Sequence, residues 1–277
     1  MKSLNLGGHL ISVEKPIIMG ILNLDDHSFY DGGQYNSEEK ILNRIEKMIE
    51  EGADIIDIGA VSSRPFSSPK SLQEELDVFK TYFKTISKTF QNTFFSIDTF
   101  RSEVAEYTLD HGAVIINDIS AFRIDANLPK IVEKYQAAYV LMHMQGMPNN
   151  MQTNPIYNNL LQEILYFFTE RLHQLNAFQI SDIIIDLGFG FGKTIEDNYK
   201  LLKNISYFDY LEKIQLVGLS RKSMIYKPLN ASPENALIGT SALHFEALNQ
   251  GAKILRVHDV LEAKQVIDLY QIYKIVE

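Results

Sequence analysis

The sequence contains no cysteine among its 277 residues. This excludes disulfide bonds, thiolate metal sites and cysteine nucleophiles. The chain also lacks the run of about 18 apolar residues that a transmembrane helix needs, and its N-terminus has no basic segment followed by an apolar core. We therefore expect a cytoplasmic protein that has no membrane partner.

Basic residues are in the minority. The sequence has 26 Lys and Arg against 35 Asp and Glu, a formal net charge of −9. Nucleic-acid binding depends on clustered Lys and Arg that neutralise phosphates, so the charge balance disfavours a nucleic-acid partner. An anionic small molecule would need a local basic pocket.

Several familiar catalytic motifs are also missing. There is no H-E-x-x-H and no other close set of His and carboxylates at metal-binding spacing, which disfavours a zinc hydrolase. Gly192-Lys193-Thr194 resembles the end of a P-loop, but the glycine required five places earlier is replaced by Leu187. A dinucleotide fingerprint starting at Gly188 fails because its third glycine would fall at Lys193.

The chain does show a regular alternation of short apolar runs and helical patterns. With 45% apolar residues and this length, it is large enough for one core, and we expect a single domain over residues 1–277. Eight strand–helix units predict an α/β fold, a (β/α)8 TIM barrel rather than an open doubly wound sheet. The predicted strands are Pro16–Leu22, Asp54–Ile58, Phe94–Ile97, Val114–Ile116, Tyr139–Met142, Ile183–Ile185, Gln215–Val217 and Ile254–Val257.

Local signals refine this prediction. The segment Leu4–Val13 carries two adjacent glycines between extended runs, which indicates an N-terminal β-hairpin that could plug the bottom of the barrel. Ser37 is a candidate N-cap of the first helix, and Ser71 with Glu74 has the spacing of a capping box.

Polar residues follow each predicted strand. In a TIM barrel the active site forms at the carboxyl ends of the strands, so these side chains should converge. Any one of them has an ordinary structural alternative: Asp98 could cap a helix, and Arg256 could be a plain ion pair. Together they favour a polar ligand pocket. The strand-end residues are Asn23, Ser62, Ser63, Arg64, Asp98, Asn117, Asp118, His143, Asp186, Ser220, Arg221, Lys222, Arg256 and His258.

The residue types indicate the ligand. The stretch Ile183–Lys193 carries Asp186 at the end of a strand, followed by alternating glycines that permit close approach of a flat molecule. Two carboxylates, an amide and a lysine suit a heterocycle with donor and acceptor edges, and Phe189 and Phe191 could pack against its faces.

A second group of strand-end residues suits a phosphorylated ligand. Arg64 follows the second strand, and Arg256 and His258 follow the eighth. Guanidinium groups bind phosphate oxygens in a fixed fork geometry. We therefore expect the ligand to carry phosphate beside its ring.

Nine motifs, in order and spread over nearly the whole chain, resemble those of the dihydropteroate synthase family. They read M-G-I-L-N (19–23), S-F-Y-D-G-G (28–33), G-A-D-I-I-D-I-G (52–59), S-I-D-T-F (96–100), N-D-I-S (117–120), L-M-H-M-Q-G (141–146), D-L-G-F-G-F-G-K (186–193), S-R-K-S (220–223) and R-V-H-D-V (256–260).

The resemblance implies a homodimeric TIM barrel of folate biosynthesis and a target of sulfonamides. It implies condensation of 6-hydroxymethyl-7,8-dihydropterin diphosphate with 4-aminobenzoate, assisted by Mg2+, to give 7,8-dihydropteroate and diphosphate. The matched positions for the pterin are Asp98, Asn117, Asp186 and Lys222; for the diphosphate, Asn23 through Mg2+, Arg64, Arg256 and His258; and for the aminobenzoate, Ser63, Pro65, Phe191 and Ser223. Of these, Asp98, Lys222, Arg256 and Arg64 are expected to act in catalysis.

Two loops depart from the family pattern. The first loop normally reads T-P-D-S-F, whereas this chain has Asp25, Asp26 and His27 in the first three places. In the second loop, G-E-S-T-R-P-G becomes G-A-V-S-S-R-P-F, which places Phe66 where the family has glycine. Two hypotheses follow: an active synthase with unusual loops, or a paralogue that binds pterin without this catalysis.

Overall fold

The computed structural model describes residues 3–24, 34–60, 70–146 and 155–276. Its central feature is a barrel built from the strands β3 (Ile17–Asn23), β4 (Ile55–Gly59), β5 (Phe94–Asp98), β6 (Ile115–Asp118), β7 (Ala138–Met142), β8 (Ile183–Asp186), β9 (Ile214–Val217) and β10 (Ile254–Val257). These eight strands run parallel and close in the order β10-β3-β4-β5-β6-β7-β8-β9, as the alternation predicts.

The barrel strands are buried on both faces. Successive side chains point to opposite faces of a strand. Ile55 belongs to a cluster inside the barrel, and Ile56 to the larger cluster between the barrel and the helices. A strand with two buried faces reads as an almost continuous apolar run, which explains the predicted pattern.

The predicted N-terminal hairpin is present and closes the bottom of the barrel. It consists of β1 (Ser3–Leu6) and β2 (His9–Ser12), paired antiparallel. Leu4 and Leu6 are fully buried against residues that line the lower barrel, such as Ile115 and Ile184. The turn residue Gly7 has φ +60°, and a Cβ there would lie 2.7 Å from Val114 Cγ1. The hairpin therefore plugs the barrel as expected.

The helices surround the barrel. They are α1 (Gln34–Glu50), α2 (Leu72–Thr89), α3 (Ser102–Asp110), α4 (Leu128–Tyr135), α5 (Leu160–Leu175), α6 (Ile195–Leu202), α7 (Ser223–Tyr226), α8 (Leu237–Asn249) and α9 (Val260–Ile275). In the described ranges, no helix is long and apolar enough to cross a membrane.

Two predicted helix starts have different outcomes. Ser71 and Glu74 form the predicted capping box at the start of α2. Ser37 was the wrong choice for the first helix, because α1 begins three residues earlier and Ser37 lies buried within it.

Candidate active site at the mouth of the barrel

A row of neighbouring positions crosses the carboxyl ends of four strands. The parallel register pairs Asn23 with Gly59, Gly59 with Asp98, and Asp98 with Asn117. A Cβ placed on Gly59 would lie 3.5 Å from Asp98 Cβ and 3.6 Å from Asn23 Oδ1. The predicted residues of β3, β5 and β6 therefore lie at one level of the barrel mouth.

Arg256 reaches across the barrel from β10. Its Nε donates to Asp57 Oδ2 at 2.7 Å, and its Nη2 donates to Asp98 Oδ2 at 2.8 Å. Asn117 Nδ2 donates to the same Asp57 oxygen at 3.0 Å. Arg256 is thus joined to both β4 and β5, and through Asp57 to β6.

The local charges perturb the ionisation of this group. Burial raises the pKa of Asp98 to about 7; Arg256 opposes the shift and the Asp57 carboxylate adds to it. Burial works to lower the pKa of Arg256, but the Asp57 and Asp98 carboxylates outweigh it, and the pKa lies above its ordinary value. Arg256 is therefore a permanent cation beside a carboxyl group that can change charge near neutral pH.

Asp186 and Lys222 form the other side of the mouth. Asp186 ends β8, and its Oδ1 accepts from the Gly188 backbone N–H at 2.8 Å. Burial raises the pKa of Asp186, and the charge of Lys222 opposes that shift. Lys222 donates to the Phe189 carbonyl and lies 4.5 Å from the centre of the Phe191 ring. Burial lowers the pKa of Lys222 to about 8.

The glycine-rich loop after β8 is shaped by close backbone contacts. Gly188 has φ +70°, and a Cβ on it would lie only 1.8 Å from the His143 carbonyl oxygen. The loop is also fixed by Lys193, whose Nζ donates to the carbonyls of Gly188 at 2.8 Å and Phe191 at 3.2 Å. Gly188 therefore allows the loop after β8 to lie against the loop after β7. Lys193 stabilises the glycine-rich loop and does not have the phosphate-binding role of a P-loop lysine.

His143 is the strand-end residue of β7, and its ring does not face an open site. It is buried, and its Nδ1 lies 2.9 Å from Lys193 Nζ. Burial lowers its pKa well below the ordinary value, with the charge of Lys193 adding to the shift. The neutral ring can therefore accept a hydrogen bond from Lys193 Nζ.

His258 follows β10 at the mouth. Its Nδ1 lies 3.1 Å from Ser220 Oγ, and its backbone N–H donates to the same hydroxyl at 3.3 Å. Burial lowers the pKa of His258 to about 4, with Arg256 and Arg221 contributing. The imidazole is therefore neutral at pH 7 and has one N–H to donate. Ser223 opens α7 directly after Lys222.

Apolar residues complete the mouth. Ile119, Met142 and Met144 form a small buried cluster, with Phe100 and Phe191 packed against it. The expectation for Phe189 was wrong: its side chain is fully buried in the cluster between barrel and helices. The Phe189 carbonyl does reach the site, where it accepts from Lys222 Nζ. The positive φ values of Gly188 and Gly190, on either side of Phe189, break the simple alternation of side chains along the loop.

Asp118, a predicted strand-end carboxylate, and Asp57, which was not predicted, have different partners. Asp118 is buried and accepts from Tyr139 Oη at 2.6 Å and from the backbone N–H of Phe122 at 2.6 Å, so it organises the loop after β6. Asp57, which sequence reasoning missed, is fully buried inside the barrel and contacts Arg256. Its signal was a charge in the middle of the apolar run I-I-D-I-G, two residues after the inward-facing Ile55.

Several predictions fall on residues outside the described ranges. These are Ser62, Ser63, Arg64, Pro65 and Phe66 of the second loop, and Asp25, Asp26 and His27 of the first.

The predicted metal ligand Asn23 is described and lies exposed at the end of β3. Over residues 3–24, 34–60, 70–146 and 155–276, no three His, Asp or Glu side chains group as a metal site. The described chain thus offers one amide oxygen at the rim, and the other ligands of a Mg2+ ion there would be waters and substrate phosphates.

Comparisons with known proteins all point to one family. The chain matches the family described as pterin binding enzyme over residues 19–258. It is 39% identical over 263 residues to the dihydropteroate synthase of Haemophilus influenzae, covering 94% of this chain and 95% of that protein.

Solved structures agree with this match. The Yersinia pestis dihydropteroate synthase in a sulfonamide drug complex has a TM-score of 0.92 and 36% identity, covering 99% of this chain and 100% of that one. The Xanthomonas albilineans dihydropteroate synthase with 4-aminobenzoic acid has a TM-score of 0.91 and 32% identity, covering 99% of each chain.

Proposed function

The chain belongs to the dihydropteroate synthases of the pterin binding enzyme family, and we propose how its pocket carries out their reaction. The substrates are 6-hydroxymethyl-7,8-dihydropterin diphosphate and 4-aminobenzoate, and the products are 7,8-dihydropteroate and diphosphate. The observation that carries the proposal is the convergence of Asp98, Asn117, Asp186, Lys222 and Arg256 at one barrel mouth.

The pterin is assigned to the deep part of the mouth. Asp186 accepts hydrogen bonds from the donor edge of the ring, while Asn117 and Lys222 supply donors to its acceptor atoms. The cluster of Ile119, Met142 and Met144 offers an apolar surface to the ring face. All these residues except Lys222, which immediately precedes α7, lie on strands or within two residues of a strand end, so the scaffold positions them before the ligand arrives.

The diphosphate is assigned to the basic part of the mouth. Arg256 has N–H groups beyond those that bind Asp57 and Asp98, and neutral His258 can donate one more. Asn23 is the residue that would hold Mg2+, with Arg64 as a further cation from the second loop. When bound, Mg2+ supplies positive charge that stabilises the departing diphosphate.

The reaction breaks the bond between the pterin methylene carbon and the diphosphate oxygen, and forms one between that carbon and the arylamine nitrogen. The electron pair of the broken bond leaves with diphosphate, and the amine proton passes to solvent or diphosphate. Arg256 stabilises the leaving anion, while ionised Asp98 stabilises positive charge that develops on the pterin. A neutral arylamine is already nucleophilic, so no strong base is needed.

The aminobenzoate is assigned to the outer part of the mouth. Phe191 and Ser223 border this region from the described chain, and Ser63 and Pro65 are assigned to it from the second loop. Sulfonamides resemble aminobenzoate, so we expect them to compete at this side. The altered loop residues Asp25, Asp26 and His27 would act on the same side, leaving the pterin site unchanged.

Substitution of Arg256 tests whether this residue acts mainly on the leaving diphosphate and less on the pterin. Arg256→Gln should lower kcat by about 100- to 1000-fold, as expected when one electrostatic partner of a developing anion is lost, while pterin binding measured by calorimetry changes less. Arg256→Lys is the matched control because it keeps the positive charge and should retain more activity. Equal losses in both variants, or a loss confined to pterin affinity, would contradict the assignment.

We also propose that the protein is a homodimer that uses the outer face of α8 and α9. Leu269, Ile272 and Tyr273, at positions i, i+3 and i+4 of α9, are each more than 60% exposed. Ile238 on the adjoining α8 is 86% exposed. Exposed apolar side chains that recur at this spacing on one face of a helix are typical of an interface.

A further inference from the structure

We propose that Asp57 is the positioning residue of this pocket: a buried carboxylate that touches no substrate but sets the directions of the Arg256 guanidinium and the Asn117 amide. The proposal rests on the function proposed above, because Arg256 is assigned to the leaving diphosphate and Asn117 to the pterin. Asp57 is not among the positions that the family resemblance matches to the pterin, the diphosphate or the aminobenzoate.

The geometry shows how one oxygen controls two functional groups. Asp57 Oδ2 accepts from Arg256 Nε at 2.7 Å and from Asn117 Nδ2 at 3.0 Å. The two donors come from β10 and β6, on different sides of β4. Asp98 holds Arg256 by Nη2 only, so removing the Asp57 oxygen takes from Arg256 Nε and from Asn117 Nδ2 the acceptor that they share.

Asp57 lies deeper in the barrel than the charged residues assigned to the ligands. Its side chain has no exposed surface, whereas Asp98 and Arg256 are 14% and 18% exposed. The register pairs Asp57 with Ser96, one layer below the pairing of Gly59 with Asp98. Asp57 therefore lies beneath the floor on which a ligand would bind.

The second carboxylate oxygen of Asp57 allows its role to be tested by substitution with Asn, which has nearly the same shape. Asp57 Oδ1 and Ser96 Oγ are both buried and lack a hydrogen-bond partner in the described structure. In Asp57→Asn the amide oxygen can replace Oδ2, and the new NH2 group can point towards the serine hydroxyl. The variant would keep both hydrogen bonds to the donors and lose only the charge.

The primary experiment compares Asp57→Ala with Asp57→Asn. Asp57→Ala should lower kcat/KM by about 100-fold, the effect expected when reacting groups are misplaced by about 1 Å, while Asp57→Asn should recover activity to within about tenfold of the parent. If Asp57→Ala fails to fold, Asp57→Ser replaces it, since its hydroxyl is too short to reach either donor. Asp54→Ala is the control: this carboxylate precedes the same strand, binds the Ile18 backbone N–H, and should leave kcat/KM unchanged.

Double variants show whether Asp57 acts through its two partners. The effect of Asp57→Ala on kcat should largely disappear in an Arg256→Gln background, and its effect on pterin affinity should disappear in an Asn117→Ala background. Effects that multiply independently in both backgrounds would overturn the proposal, as would a lower Tm with unchanged kinetics. If the parent protein is inactive, the synthase function is refuted. The role of Asp57 can still be tested in that case, because calorimetry of pterin binding in the Asp57→Ala and Asn117→Ala variants needs no turnover.

Discussion

At the scale of single residues, the pocket is a set of buried charges that depend on one another. Arg256 lies between Asp57 and Asp98, and Lys222 stands near Asp186. A buried charge is tolerated only when it is paired and hydrogen bonded. Removing one member should therefore affect binding more than its exposed area suggests.

Asp186 gives a direct test of pterin recognition. Asp186→Asn replaces the acceptor of two donor hydrogens by a neutral amide, and it should weaken pterin binding by about 1.5–3 kcal/mol. Isothermal calorimetry with a pterin measures the change. The matched control is Asp118→Asn, an equally buried strand-end carboxylate that faces Tyr139. Unchanged affinity in Asp186→Asn would refute the assignment of the pterin edge.

The pKa shifts predict a narrow pH optimum. Burial raises the pKa of Asp98 to about 7 and lowers that of Lys222 to about 8. Asp98 loses its negative charge as pH falls below about 7, and Lys222 loses its positive charge as pH rises above about 8. If both charges are required, kcat/KM should form a bell with limbs near these values.

The matching variant identifies the acid limb. The Asn side chain of Asp98→Asn does not titrate. The kcat/KM of this variant should be lower than that of the parent, and its pH profile should lack the acid limb near pH 7 and keep the basic limb. A limb that persists unchanged in this variant would assign the titration to another group.

Much of the site at this scale was predictable from sequence, because strand ends in a barrel converge by topology. That rule predicts that Asp98, Asn117, Asp186 and Arg256 converge, and the structure pairs Asp98 with Asn117, joins it to Arg256, and places Asp186 within reach of the Arg256 charge. It could not find Asp57, since a residue in mid-strand points inwards or outwards according to register. It also misjudged Phe189, because positive φ values in the glycine loop disrupt simple alternation.

At the scale of elements, the N-terminal hairpin is the least standard part of the barrel. Its sequence signal was local, two glycines between extended runs, and was sufficient to predict the turn. The first helix was harder: α1 begins before Ser37, which shows that a capping residue predicts a helix start only when no earlier residue can join the helix.

The hairpin should contribute to stability and leave catalysis unchanged. Leu6→Ala removes a fully buried side chain from the barrel plug and should lower the free energy of unfolding by about 2–5 kcal/mol. Leu10→Ala lies in the same hairpin on a side chain that is 75% exposed, and should change it by less than about 0.5 kcal/mol. Denaturant unfolding gives both values. A large rise in KM for Leu6→Ala below its Tm would show that the plug shapes the active site instead.

At the scale of the whole molecule, the apolar stripe on α9 predicts association. Ile272→Glu should convert a dimer into a monomer, because it puts a charge in the middle of the proposed interface. Light scattering after gel filtration measures the mass. Tyr210→Glu is the control, since Tyr210 is 85% exposed and lies outside the stripe. A parent protein that runs as a monomer would contradict the proposed dimer.

We predict that this barrel joins a pterin diphosphate to an arylamine in spite of its unusual first and second loops. The most direct measurement incubates the purified chain with 6-hydroxymethyl-7,8-dihydropterin diphosphate, 4-aminobenzoate and Mg2+, and quantifies 7,8-dihydropteroate and released diphosphate. We predict equal amounts of the two products, inhibition by a sulfonamide and loss of turnover in excess chelator. Two results together would contradict this prediction: the chain binds pterin but forms no product, and it still forms none after Asp25, Asp26 and His27 are changed to the Thr, Pro and Asp of the family pattern. The protein would then be one that only binds pterin.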